Sequence, residues 1–75
     1  MHPDEIENLI RLGIKDCEVK VETDGLGHYQ ATVVSDEFLG KSRIQRHQLI
    51  YQSLGKLVGN EIHALAIKAH TIKEI

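Results

Sequence analysis

The chain has 75 residues, of which 41% are hydrophobic and 27% charged, and its formal net charge is −2. This length and composition are typical of a single folded domain and argue against disorder. The lone cysteine excludes an internal disulfide, and no apolar run reaches the roughly 18 residues that a membrane-spanning helix needs. We therefore expect one domain over residues 1–75, located in the cytoplasm, with no targeting segment and no membrane partner.

The first predicted element is an amphipathic helix over residues 3–12. Pro3 suits the first helical position, where a backbone N–H has no intrahelical partner in any case, and Gly13 is a residue type at which helices commonly end. The apolar stripe of this helix, spaced i, i+3 and i+4, consists of Ile6, Leu9 and Ile10.

Two runs of alternating apolar and polar residues predict a β-hairpin. Residues 17–23 and 28–33 each have the pattern of a strand with one buried face, and residues 24–27 between them are the turn-forming sequence Asp-Gly-Leu-Gly. Cys17 falls on the apolar face of the first strand. We interpret it as a small buried hydrophobe and not as a reactive thiolate.

A second helix is predicted over residues 43–58, after a loop in which Phe38 enters the core. Ser42 and Gln45 have the spacing of a capping box at its start, while Gly55 weakens its last turn. The apolar face predicted for this helix consists of Ile44, Ile50, Tyr51, Leu54, Leu57 and Val58.

An apolar run over residues 62–69 predicts a third strand, and Thr71 and Glu74 have the spacing of a further capping box. The order of elements is thus α-β-β-α-β-α. A helical crossover between the second and third strands favours a parallel, right-handed connection. The predicted fold class is α+β, a three-stranded mixed sheet with the helices on one face and an open polar face.

Charge is distributed unevenly along this fold. Residues 1–37 have a charge balance of −6, residues 38–60 a balance of +4, and residues 61–75 a balance of zero. The cations of the middle segment are Lys41, Arg43, Arg46 and Lys56. Such a basic segment either binds an acidic partner, even on a protein that is acidic overall, or forms a solvated helix face.

The sequence contains none of the short motifs that indicate catalysis. It has no Cys-x-x-Cys and no His-Glu-x-x-His. The glycines of residues 24–27 join two strands, whereas a phosphate-binding loop opens a helix. We therefore expect a binding protein and not an enzyme.

Two of the five histidines are candidate metal ligands. His28 opens the second strand and His63 lies near the start of the third, so parallel pairing would bring both to one end of the sheet, where neighbouring strands are about 4.8 Å apart. Two imidazoles leave a metal site incomplete. The alternative is an exposed loop His28 and a His63 satisfied by a hydrogen bond. The remaining histidines, interpreted as surface residues, are His2, His47 and His70.

Two segments of the chain resemble the signatures of the BolA family. Residues 38–51 contain a Phe, a Gly and a Ser-Arg pair that lead into a basic helix with an Ile-Tyr pair, and residues 62–69 contain His-Ala-Leu. Asp24-Gly25 followed by His28 is most similar to the short bacterial YrbA/IbaG-like branch. The resemblance covers nearly the whole chain and implies a fold similar to the class II KH fold, although the Gly-x-x-Gly clamp of KH domains is absent.

The resemblance also implies a function. BolA-like proteins partner monothiol glutaredoxins, and the two proteins, with glutathione, share a [2Fe–2S] cluster that the isolated chain does not hold. The positions that match the family's cluster ligands are His63, in the His-Ala-Leu motif, and His28, in the loop between the first two strands. We expect the partner surface to contain Lys41, Arg43, Arg46 and His47.

A second function implied by the resemblance is that of a DNA-binding transcriptional regulator that uses the basic second helix. The four cations of residues 38–60 give a small electrostatic footprint for DNA, and the sequence pI of about 6.2 is well below that of typical DNA-binding domains. We expect the chain to be a monomer or a weak homodimer.

Overall fold

The computed structural model describes residues 1–75. Its elements follow the predicted order, except that a single 3-10 turn stands in place of the predicted last helix, and the other elements start or end within a few residues of the predicted bounds. The helices and strands are α1 (Pro3–Gly13), β1 (Glu18–Thr23), β2 (His28–Val34), α2 (Arg43–Leu54) and β3 (Ala64–His70). Three short 3-10 turns lie at Asp36–Phe38, Gly55–Leu57 and Ile72–Glu74. No helix is both long enough and apolar enough to cross a membrane.

The sheet has the order β1-β2-β3. β1 and β2 pair antiparallel, as a hairpin requires, with Val21 opposite Ala31. β2 and β3 pair parallel through the α2 crossover, with the Cα of His28 opposite that of Ala64. The predicted mixed sheet, and the predicted parallel pairing of its last two strands, are therefore confirmed.

One face of the sheet carries the core, and both helices contribute to it. The alternating residues of β1 and β2 that point to this face are buried, while their neighbours on the other face are exposed or half-buried. The core residues are Ile6, Ile10, Ile14, Val19, Val21, Tyr29, Ala31, Val33, Phe38, Ile50, Leu54 and Ile62. Because the buried residues of α1 and α2 join this one cluster, both helices lie on the same face of the sheet, as predicted.

The two helices approach each other closely at Gly13, the last residue of α1. A Cβ at this position would overlap the Cβ of Ser53 on α2. The absence of a side chain at Gly13 therefore sets how α2 sits against α1. At the other end of α1, the His2 side chain accepts a hydrogen bond from the Asp4 amide and caps the helix.

The start of α2 is as predicted, its end is not, and its buried face is as predicted except at two residues. Ser42 and Gln45 form a reciprocal capping box, with the Ser42 hydroxyl accepting from the Gln45 amide. The helix ends at Leu54 and not at residue 58, because Gly55 adopts a φ of +58°. Ile44 and Tyr51 were predicted to face the core, yet they are 70% and 41% exposed.

β3 begins at Ala64, two residues later than predicted. Ile62 is fully buried, but it forms only an isolated bridge with Val58 before the strand starts. His63 therefore lies just ahead of the strand and is exposed. After β3, the Glu74 carboxylate accepts a hydrogen bond from the Thr71 amide, in keeping with the predicted capping spacing.

Candidate functional site

The structure brings His28 and His63 to the same end of the sheet. His28 is the first residue of β2, and His63 precedes the first residue of β3. The backbone N–H of His63 donates to the Gly27 carbonyl, 2.9 Å away, so His63 is tied to the residue just before His28. Both imidazoles are exposed and accessible to a ligand or a partner.

The turn before His28 is held by a network of short hydrogen bonds. The Asp24 carboxylate accepts from the Leu26 amide at 2.7 Å through one oxygen, and its other oxygen lies 2.7 Å from Nδ1 of His28. The Thr23 hydroxyl donates to the His28 carbonyl and accepts from the Gly25 amide. The hydrogen bond from Leu26, followed by that from His28, lowers the pKa of Asp24. An ionised Asp24 therefore orients the His28 ring.

His63 is positioned by packing rather than by a polar partner. Gly27 has a φ of +86°, and a Cβ at Gly27 would overlap Cδ2 of the His63 ring. The ring thus lies directly against the Gly27 backbone. Of the two candidate ligands, the side chain that has a carboxylate partner is His28, through Asp24.

These donors fit half of the ligand set of an iron–sulfur cluster. If Nδ1 of a neutral His28 donates to Asp24, its Nε2 lone pair is free to bind a metal, the usual arrangement for a ligating histidine. No group of three or more His, Cys, Asp or Glu side chains is arranged to hold a metal ion in this chain. A metal or cluster bound by these two imidazoles would need its other ligands from a second molecule.

A basic groove lies near the opposite end of β3. It is a cavity of about 530 Å³ between the start of α2 and the last residues of β3. The groove is lined by Lys41, Arg43, Arg46, His47, Ile67, Lys68, Ala69, His70 and Glu74. All four residues predicted for the partner surface border this one cavity, and β3 adds Lys68 and His70 to them.

Arg46 differs from the other basic residues because it is bonded within the fold. It donates to both oxygens of Glu74, at 2.7 and 3.1 Å, and to the Lys41 and Ala69 carbonyls. Its side chain is only 13% exposed, and its guanidinium lies 5.8 Å from the centroid of the Phe38 ring. Arg46 is therefore not a freely exposed cation of the groove.

The Arg46–Glu74 pair changes the electrostatics of the groove. Hydrogen bonds from the guanidinium lower the pKa of Glu74 to about 2, and the same pair raises the pKa of Arg46. The only acid in the groove is thus neutralised by Arg46. The cations that remain free to meet a ligand are Lys41, Arg43 and Lys68, with His47 and His70 beside them.

Cys17 takes no part in either region. It is half-buried beside the core, ahead of β1, and burial raises the pKa of its thiol. A neutral, partly buried thiol agrees with the interpretation of Cys17 as a small hydrophobe.

Sequence reasoning missed three features of these regions. Asp24 was interpreted only as a turn residue, although it stands four residues before His28 and carries a carboxylate, one of the groups that orient ligating histidines. The roles of Gly27 and Glu74 had no local signal in the sequence. Gly27 is defined by a contact with His63, and Glu74 by one with Arg46, 28 residues away.

The fold and these two regions define a small α+β domain with an exposed histidine pair at one end of its last strand and a basic groove at the other. The chain belongs to the BolA family, because that family's profile, described as "BolA-like protein", matches residues 12–74. The acid stress protein IbaG of Escherichia coli K12 is 36% identical over 75 residues, which is 99% of this chain and 88% of that protein.

A second relative and a solved structure agree with this assignment. The DNA-binding transcriptional regulator BolA of E. coli K12 is 40% identical over 47 residues, which is 63% of this chain but only 45% of that protein. A BolA protein homologue from Coxiella burnetii has the same fold, with a TM-score of 0.86, 33% identity, and coverage of 99% of this chain and 95% of that chain. These relatives are named as stress proteins, regulators or BolA homologues and not as enzymes.

Proposed function

We propose that this protein is a non-enzymatic partner of a monothiol glutaredoxin and that the two proteins share a [2Fe–2S] cluster. The observation that carries the proposal is the pair of exposed histidines at one end of the sheet, one of them oriented by a carboxylate. The family's association with such complexes, expected from the sequence signatures, supports the same conclusion. The function served would be iron–sulfur cluster assembly, cluster trafficking or iron regulation.

The division of ligands follows from the number of donors. A [2Fe–2S] cluster takes four protein or thiol ligands, and this chain offers two imidazoles. The glutaredoxin would supply a cysteine thiolate and bound glutathione would supply a second thiolate. Replacing thiolates by neutral imidazoles raises the reduction potential of such a cluster.

Within this chain, each residue of the site has a separate part. His63 and His28 provide the ligand nitrogens. Asp24 is a positioning residue, because its carboxylate holds Nδ1 of His28 and directs Nε2 outward. Gly27 is also a positioning residue, because its bare backbone gives room for the His63 ring.

A reconstitution experiment tests the proposal. The wild-type chain and a monothiol glutaredoxin are mixed anaerobically with glutathione, iron and sulfide, and visible circular dichroism is recorded. We expect a spectrum that differs from that of the glutaredoxin homodimer. His63→Ala should abolish the difference, and His2→Ala, a change at another exposed histidine, should retain it. A mixture whose spectrum equals that of glutaredoxin alone would disprove the proposal.

DNA binding is the second candidate function, and the groove is the observation that favours it. Three unpaired cations border the groove, and the E. coli relative that shares 40% identity is named a DNA-binding regulator. Duplex DNA would contact Lys41, Arg43 and Lys68 through its phosphates. Three phosphate contacts predict a slope of about −2.7 for log K against log salt, which a titration of labelled duplex would measure. A flat salt dependence, or no binding at low salt, would exclude this function.

A further inference from the structure

The two edges of the sheet differ in how their backbone groups are covered. On β1, the outward-facing N–H of Val21 donates to the Glu7 carboxylate of α1 at 2.9 Å. Glu7 therefore closes this edge, and Glu18, Lys20 and Glu22 add charges along it. Charged side chains and a covering helix are the usual protections of an edge strand.

On β3, the opposite edge is largely open. The Ala64 N–H and the His70 carbonyl bond toward β2, so the alternating Leu65, Ile67 and Ala69 direct their N–H and C=O groups away from the sheet. Of these outward groups, the Ala69 carbonyl is bonded to Arg46. The side chains of Leu65, Ile67 and Ala69 are only half-buried. The helices therefore leave this side of β3 partly exposed to solvent.

The open edge adjoins the basic groove, which indicates what could bind there. Ile67 to His70 form one wall of the groove, and Lys41 and Arg43 stand opposite. A strand added beside β3 would therefore have its side chains next to these cations. Carboxylates would be favoured at that position, because the one acid in the groove is already paired with Arg46.

We propose that the free edge of β3 is a docking site at which an extended, acidic segment of the partner adds as a fourth strand. This inference rests on the proposed function, because the segment is assigned to the glutaredoxin that shares the cluster. Ala69 lies six positions after His63, and a strand spans about 20 Å over that distance. One small globular partner can therefore reach the histidines and the groove together.

Backbone hydrogen bonds and charge contribute different things to this docking. The outward N–H groups of Leu65, Ile67 and Ala69 would give the segment its extended shape and its register. Lys41, Arg43 and Lys68 would select carboxylates and speed association, an effect that salt reduces. The Arg46–Glu74 pair fixes the groove's shape and is not itself a contact for the segment.

Amide hydrogen exchange on the ¹⁵N-labelled chain tests the inference, with cluster-free monothiol glutaredoxin as the probe. Strand addition should slow exchange of the Leu65, Ile67 and Ala69 amides by about tenfold or more at saturation. The matched reference is the Val21 amide, which is already bonded to Glu7 and should not change. A complex that forms without slowing any β3 amide would overturn the inference.

Two variants, each with a control, separate the contribution of the backbone hydrogen bonds from that of the charges. Ala69→Pro removes one outward N–H and leaves the Ala69 carbonyl and the β2 ladder, so it should weaken binding about tenfold, whereas Ala69→Ser should not. Lys41→Glu combined with Arg43→Glu should weaken binding by about tenfold or more at low salt, whereas Lys56→Glu, outside the groove, should not. If Ala69→Pro fails to fold, the charge-reversal pair still decides, and unchanged affinity in that pair would contradict the inference.

Different results would reject this inference and the proposed function. A mixed cluster that forms without protection of β3 leaves the function standing and removes the strand addition. Protection of β3 by glutaredoxin without a mixed cluster does the reverse. Protection of the same amides by a DNA duplex, and not by glutaredoxin, would overturn the strand addition and favour DNA binding at this edge.

Discussion

The two ends of β3 are built on opposite physical principles. At its start, His63 and His28 are exposed and are positioned by a four-residue turn and one glycine backbone. At its end, Arg46 locks the groove with four hydrogen bonds, three of which reach Ala69 and Glu74, 23 and 28 residues away. The first end is arranged to accept a ligand, and the second to keep its shape while it presents charge. A change such as Asp24→Asn at the first end should therefore alter function with little effect on stability, whereas changes to the Arg46–Glu74 pair at the second end should mainly lower stability.

The largest expected effect on stability is that of Arg46→Ala. The substitution leaves the Glu74 carboxylate and the Ala69 carbonyl without their partner, so the thermal midpoint should fall by roughly 5–10 °C. Arg43→Ala is the matched control, because Arg43 is an exposed cation of the same groove and should change the midpoint by only about 1–2 °C. Equal midpoints for the two variants would mean that Arg46 does not lock this end.

Gly27→Ala should also lower stability, and it should have a specific effect on His63. A positive φ costs alanine about 1–2 kcal/mol, and the new Cβ would also displace the His63 ring. Gly25→Ala is the control, since Gly25 has a φ of +83° with no neighbour within 4 Å of a Cβ. NMR of the imidazole resonances should show His63 shifted in Gly27→Ala alone. A His63 signal at its wild-type position would contradict the packing argument.

The folded protein should lose stability in acid, because Glu74 beside the groove becomes protonated there. The pKa of this carboxyl is lowered in the folded protein to about 2, so its ionised form stabilises the fold at pH above its ordinary value of 4.5. That stabilisation is lost as the pH falls through about 2. The charged groups that face Glu74 are Arg46 and His70. The thermal midpoint of Glu74→Gln should change less between pH 4.5 and 2 than that of the wild type. If the midpoints of the two proteins fall by the same amount over this range, Glu74 does not contribute to the acid dependence of stability.

The smallest expected effect on stability is that of Asp24→Asn, at the end of the sheet that carries His28 and His63. Asparagine retains the bond from the Leu26 amide but loses the charge that favours an oriented His28. We expect little change in unfolding and a shared cluster that decays about tenfold faster in air, since outer partners of ligating histidines typically contribute 10–100-fold. Asp36→Asn, an exposed acid in another turn, is the control. Equal decay rates in the two variants would mean that Asp24 does not position His28 for the cluster.

The same contrast explains what sequence could predict. α1, the hairpin and the parallel crossover follow from local periodicity and turn residues, and Ser42 with Gln45 fixed the start of α2. The buried face of α2 was predicted correctly at Ile50 and Leu54 but not at Ile44 and Tyr51, because apolar residues occur around much of the helix. The close approach of α1 at Gly13 and Ser53, which has no local signal, helps to set how the helix is oriented. The locations of His28 and His63 were predicted from topology, but the lock between Arg46 and Glu74 depends on a contact across 28 residues.

The central claim is that imidazole nitrogen from this chain binds the iron of the shared cluster. Pulsed EPR of the reduced complex, prepared with ¹⁵N-histidine-labelled chain and unlabelled glutaredoxin, measures that bond directly. We predict strong ¹⁵N coupling in the wild type, its loss in His63→Ala, and its partial loss in His28→Ala. A wild-type complex without ¹⁵N coupling, or a His63→Ala complex with the wild-type coupling, would contradict the claim and make His63 a structural residue.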